Sequence, residues 1–231
     1  MKEIKGFKNS WILTEEGLVK TNLIVENGLI KSIGNDVVDG LVELEEDKIV
    51  IPGFIDQHIH GAAGSDAMDG TKEDLSKIAC ALAKEGTTAF LATTMTQSPE
   101  NIDKALTAVK EYIEEAPETG AEILGVHLEG PFISKDFIGA QPLEYVAEPK
   151  VDVFKHYEEV SGNNIKLVSM AVEVEGAAEL VSYLASKGIV ASIGHSNAKY
   201  ADVEAAIKIV KGTALNMGIE IKLDIFTPNI I

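Results

Sequence analysis

The spacing of apolar positions along the chain changes at about residue 50. Before it, "WILTEEGLV" and "NLIVENGLIKSIG" are short β-prone runs, and Asn27-Gly28 between two of them signals a tight hairpin turn. Residues 1–50 are therefore expected to form a small β-sandwich-like unit. After it, apolar runs of strand length alternate with stretches of helical period. "KIVIPGFIDQHIHG" reads as the first strand. Thr71, with Asp74 three residues on, opens a helix whose apolar stripe is Leu75, Ile78, Ala79 and Leu82, and Gly86 stops it. "TTAFLATTM" reads as a second strand, and Ser98-Pro99 then starts a helix carrying Ile102, Leu106, Val109 and Ile113. "AEILGVHLEG" is a third strand, followed by an irregular stretch over 131–149 and a helix at about 151–160. "IKLVSMAVE" and "IVASIGHS" are the fourth and fifth strands, with helices at about 176–187 and 198–211.

Repeated β-α units with nearly all-apolar strands predict a parallel sheet, expected to be covered on both faces. An open doubly wound sheet and a (β/α) barrel both satisfy that pattern. No G-x-G-x-x-G or G-x-x-x-x-G-K-[ST] follows any strand, so nothing supports a nucleotide-binding fold.

Composition narrows the partners. The chain has 231 residues, enough for one sizeable core, and a net charge of −17. That charge argues against nucleic acid and against an anionic membrane surface, while leaving room for a phosphorylated small molecule at a locally positive site. The single cysteine, Cys80, excludes an internal disulfide and fits a reducing cytoplasm. "MKEIKGFKNSW" has no signal-peptide core, and no apolar run approaches the roughly 20 residues a bilayer needs. A soluble, cytoplasmic protein is expected.

The chemistry gathers at strand ends. Side chains alternate along a strand, so His58 and His60 point the same way, with Asp56 below them. His127 and Glu129 end the third strand, and His195 ends the fifth. In a barrel these carboxyl ends share one rim, which would hold four of the five histidines. The fifth, His156, lies on a polar helix face and is expected at the surface. Imidazoles with a carboxylate suit a first-row divalent ion. Zinc is the first choice, with iron, manganese or cobalt as alternatives, and one or two ions are expected. Such an ion would lower the pKa of a bound water toward about 7.

"PGFIDQHIHG", "GVHLEGPFIS" and "ASIGHSNA", in this order and spacing, resemble the amidohydrolase superfamily and, within it, the N-acetylglucosamine-6-phosphate deacetylase family. The H-x-H strand is shared across the superfamily, whereas "HLEGPFI" is far more specific to that branch. The resemblance spans residues 1 to about 212 and implies a (β/α)8 TIM-type barrel, with about the first five to six strands present in 51–212. It implies hydrolysis of the acetamide of N-acetylglucosamine 6-phosphate, giving glucosamine 6-phosphate and acetate. It also implies an amino-sugar phosphate as substrate and a homodimer in the full-length family. By position, Glu129 and His195 match ligands of the principal metal, and His58 and His60 match the pair holding a second. Ala140 and Gln141 match a substrate-contacting pair, His127 is read as substrate-facing or lying behind the ligands, and Asp56 as orienting a ligand histidine.

The chain departs from the family after its fifth strand. The pattern T-H-x-x-N-A-M, whose histidine is a third metal ligand, is replaced by "GTALNMGIEIKLDIFTPNII", and no histidine follows His195. Residues 213–231 are thus read as an off-pattern tail. The family's general-base aspartate, after an eighth strand, has no counterpart; Asp224 lacks the matching context, so no catalytic proton carrier is assigned. The expectation is an incomplete deacetylase, truncated or out of frame, with impaired activity. Its open sheet is expected to expose apolar edges, and "IKLDIFTPNII" to be aggregation-prone. The alternatives are a non-catalytic metal- or sugar-phosphate-binding remnant and another amidohydrolase acting on cyclic amides.

Overall fold

Turn chemistry sets the first strands. In a computed structural model describing residues 5–117 and 119–214, β1 (Gly6–Thr14), β2 (Gly17–Glu26) and β3 (Leu29–Gly34) form an antiparallel meander. Asn27 and Gly28 both adopt positive φ, 53° and 76°, as a two-residue primed turn requires. "WILTEEGLV" is not one strand but the two arms of a hairpin. Thr14 pairs with Gly17 and Leu13 with Leu18 around the Glu15-Glu16 turn, which Gly17 closes at φ 108°. β4 (Val42–Glu43) and β5 (Ile49–Val50) run parallel to β1, completing a single five-stranded sheet. Every described strand of this segment hydrogen-bonds into the same sheet.

"KIVIPGFIDQHIHG" also splits in two. Its first part is β5; Pro52 lacks an N–H for the ladder and Gly53 follows it, and β6 (Phe54–Ile59) then starts a second sheet. The chain divides into compact units at this break, Met1–Gly53 and Phe54–Ile231.

The second unit alternates strand and helix. After β6 come a small hairpin, β7 (Gly61–Ala62) and β8 (Ser65–Asp66), then α1 (Lys72–Lys84), β9 (Thr87–Thr93) and α2 (Pro99–Glu115). They are followed by β10 (Glu122–Glu129), α3 (Val151–Val160), β11 (Ile165–Met170), α4 (Ala177–Lys187), β12 (Val190–Ile193) and α5 (Tyr200–Ala214). The Thr71 and Ser98 side chains accept the backbone N–H of Asp74 and Asn101, capping α1 and α2 where the sequence places those helix starts.

The parallel sheet has the order β6-β9-β10-β11-β12, identical to the order along the chain. A doubly wound sheet would reverse direction at a switch point; this one winds one way only, as the first five strands of a (β/α)8 barrel do. Right-handed crossovers that always advance in one direction leave every helix on the same face, and successive helices pack on one another in a single row.

Between that row and the sheet lies the core: Leu75, Ile78, Leu106, Val126, Leu128 and Val168 are among its fully buried members. Each such side chain contributes roughly 1.5–3 kcal/mol relative to exposure. At the open edge, β6 leaves Phe54 and Ile55 exposed, by 61% and 59%. No helix among the described residues is long and apolar enough to cross a membrane. The off-pattern segment from Leu215 on, with Asp224, lies outside the described residues.

Candidate metal centre

Three strand ends converge on one carboxylate. Glu129, the last residue of β10, is 5% exposed, and its two oxygens face different histidines. Oε1 lies 2.7 Å from His195 Nε2, beyond the end of β12; Oε2 lies 2.9 Å from His60 Nε2 and 3.8 Å from His58 Nε2, both supplied by β6 and the residue after it. The His58 and His60 rings stand edge to face at 5.2 Å, so the pair shares one side of its strand.

Second bonds orient the rings. His60 Nδ1 lies 3.3 Å from the Thr93 carbonyl and His195 Nδ1 lies 3.0 Å from the Phe137 carbonyl. A carbonyl can only accept, so each Nδ1 carries the proton and each neutral ring presents its Nε2 lone pair toward Glu129. Two lone-pair atoms facing a carboxylate at under 3 Å need either extra protons or a cation between them. In the protein alone they take protons. The hydrogen bond to Glu129 raises the pKa of both His60 and His195, against burial that lowers it. Burial works to raise the Glu129 pKa, but the hydrogen bonds from His195 and His60 and the nearby imidazole charges outweigh it, holding the carboxyl well below the usual range. Even so, Oε2 receives no aligned hydrogen bond although it is buried. Among the described residues, His58, His60 and Glu129 offer ligand atoms that all lie within 4.8 Å of one another. Nitrogen ligand atoms gathered around a buried, ionised carboxylate fit a divalent ion.

The other sequence-predicted residues separate by role. Asp56 accepts the backbone N–H of His58, 3.0 Å away, so it holds that histidine through its main chain. His127 is fully buried; its Nε2 meets Ser169 Oγ at 2.8 Å and its ring stacks edge to face on His58 at 4.9 Å. That position sets it between Ser169 and the His58 ring. Ala140 is exposed on the loop after β10. Gln141 is buried, and its amide oxygen accepts the Thr96 N–H at 2.6 Å, bracing the strand-end loops. His156 sits on the surface, paired with Asp103 at 2.8 Å.

Two contributors escape the histidine pattern. Thr93 touches the H-x-H segment at two points, its hydroxyl at the Ile59 N–H and its carbonyl at His60 Nδ1. Glu173 accepts Ser196 Oγ–H at 2.7 Å and Asn197 N–H at 2.6 Å, clamping the loop that begins at His195, whose φ of 49° is left-handed. Both stand at or just past the carboxyl end of an apolar strand, the same position that marks the histidines, and that rule would have found them.

The amidohydrolase family profile matches residues 49–223. The chain belongs to the amidohydrolase family. It is 37% identical over 215 residues to N-acetylglucosamine-6-phosphate deacetylase of Bacillus subtilis, covering 90% of this chain and 54% of that one. To the Lysinibacillus sphaericus enzyme of the same name it is 40% identical over 187 residues, with 80% and 48% covered. The crystal structure of N-acetylglucosamine-6-phosphate deacetylase from Thermotoga maritima superposes with a TM-score of 0.75 at 31% identity, covering 88% of this chain and 52% of that one. This amidohydrolase therefore spans about half the length of the curated relatives it matches.

Proposed function

We propose that this chain carries the metal-binding half of a deacetylase that removes acetate from N-acetyl-D-glucosamine 6-phosphate, leaving glucosamine 6-phosphate. The observation that carries the reading is the split approach to Glu129: His195 to one oxygen, His58 and His60 to the other. His58, His60 and Glu129 would hold one divalent ion, zinc first, and Glu129 with His195 would hold the principal one. When bound, such an ion supplies Lewis acidity for the acetamide carbonyl and a water of lowered pKa.

The chain's own residues set the conditions for that chemistry. Glu129 stays ionised, so it serves as a ligand and does not ferry protons. The Thr93 and Phe137 carbonyls fix the tautomers of His60 and His195, aiming Nε2 inward. The 131–141 loop, tied to β12 by the Ser134 N–H donating to the His195 carbonyl at 2.9 Å, brings Phe137 to the ligand it orients. No further carboxylate or histidine joins the ligand cluster among the described residues. No proton carrier for the departing amine is assigned among the described residues, and turnover by the chain alone is expected to be low. A reducing cytoplasm suits a lone cysteine and a soluble sugar phosphate.

Acetate release from N-acetylglucosamine 6-phosphate with added zinc, measured beside bound-metal content, tests the reading. Metal bound with slow turnover supports it. Robust turnover would refute the need for a proton carrier outside this half, and failure to bind metal would refute the site.

A further inference from the structure

The H-x-H pair does not sit on a regular strand. Along β6 and β9, Asp56 pairs with Phe90 and Ile59 with Ala92, so three steps on β6 oppose two on β9. One extra residue is thus accommodated at Gln57-His58, a β-bulge between Asp56 and Ile59 that includes the first histidine of the pair. A bulge turns backbone N–H groups out of the ladder, and here side chains receive them. Asp56 Oδ1 accepts from His58 N and Thr93 Oγ1 accepts from Ile59 N, each at 3.0 Å. Thr93 is fully buried at the end of β9, its hydroxyl also lies 3.5 Å from His127 Nδ1, and its carbonyl faces His60 Nδ1.

We propose that Thr93 is a positioning residue for metal binding: with Asp56 it pins the bulge in β6, and the pinned bulge aims both imidazoles of the H-x-H pair at Glu129. The hydroxyl acts on the backbone between the two histidines, and the carbonyl of the same residue orients the second ring. One residue on the neighbouring strand thereby sets the aim of both. Valine matches threonine in shape and branching, so Thr93→Val removes the acceptor while keeping the strand-compatible bulk. Serine retains the hydroxyl and loses only a methyl.

The inference rests on His58, His60 and Glu129 as metal ligands, so two readouts are needed. In the full chain, zinc affinity is measured by competition with a chromophoric chelator, and the imidazole resonances of His58 and His60 are recorded without metal. Thr93→Val is expected to weaken zinc binding about 10–100-fold, the range for losing an outer contact to a ligand. It should also shift both imidazole signals. Thr93→Ser is expected to stay near the native values in both. Should Thr93→Val fail to fold, Asp56→Ala, which removes the other acceptor, is expected to move the same signals. Native affinity and unmoved resonances in Thr93→Val or Asp56→Ala would overturn the proposal, as would a loss in Thr93→Ser equal to that in Thr93→Val. If the native chain binds no zinc, the proposed function falls, while the metal-free resonances still decide whether the hydroxyl aims the pair.

Discussion

At the residue scale the charge balance turns on Glu129. Glu129→Gln keeps the shape of the side chain and removes the charge that draws a cation. Zinc affinity is expected to fall by more than about 100-fold, beyond the loss usual for outer contacts, in a competition titration. The same group sets a pH dependence in the metal-free chain. His60 and His195 have raised folded-state pKa values, so their contribution is full below the ordinary 6.5 and is lost as pH rises through those raised values. Glu129 is depressed, so its contribution is present above the ordinary 4.5 and lost as pH falls through its lowered value. The metal-free site is therefore most stabilising between these limits. Thermal unfolding from pH 6 to 8 should show stability declining, and less so in His60→Gln. Over the same interval zinc affinity should rise, because the ion replaces the protons that leave. Of these residues, the four proposed ligands are legible from type and spacing. Gln141 is not: glutamine can equally bind a sugar hydroxyl or a neighbouring amide, and only packing commits it to Thr96.

At the scale of elements, α2 and the loop after β10 make contrasting cases. Leu106 is completely buried in α2, and Leu106→Ala is expected to cost about 2–5 kcal/mol in urea unfolding, through lost burial and an unfilled cavity. Gly130, directly after Glu129, has φ 71°, and a Cβ there would come within 2.0 Å of Thr96 Oγ1. Gly130→Ala is expected to lower both stability and zinc affinity; adding Thr96→Ala should recover part of the loss, since the clash is relieved while the backbone strain of about 1–3 kcal/mol remains. Calorimetry on the single and double variants checks both parts. Helix starts at Thr71 and Ser98 are legible because a cap acts within three or four residues. The Glu15-Glu16 turn is hidden because neither glutamate carries a turn signal, and pairing across it depends on the partner strand.

At the scale of the whole molecule, the chain comprises two units, and the proposed ligands all belong to the second. A ligand that binds only the folded state stabilises it by an amount set by concentration over Kd, about 2.7 kcal/mol at 100 times Kd. Zinc is therefore expected to raise the unfolding temperature of the chain, and a chelator to reverse the rise; an unchanged melting curve would count against a preformed site.

The sequence by itself determined which segments are strands of a β-α repeat, where most helices begin, and which side chains carry metal chemistry, because periodicity, capping and ligand type are local properties. It left open whether the sheet winds one way or two, where β5 yields to β6, and what His127 and Gln141 do. Those depend on contacts between residues far apart in the chain: 66 positions separate Glu129 from His195, and only the closing of successive right-handed crossovers brings them to 2.7 Å.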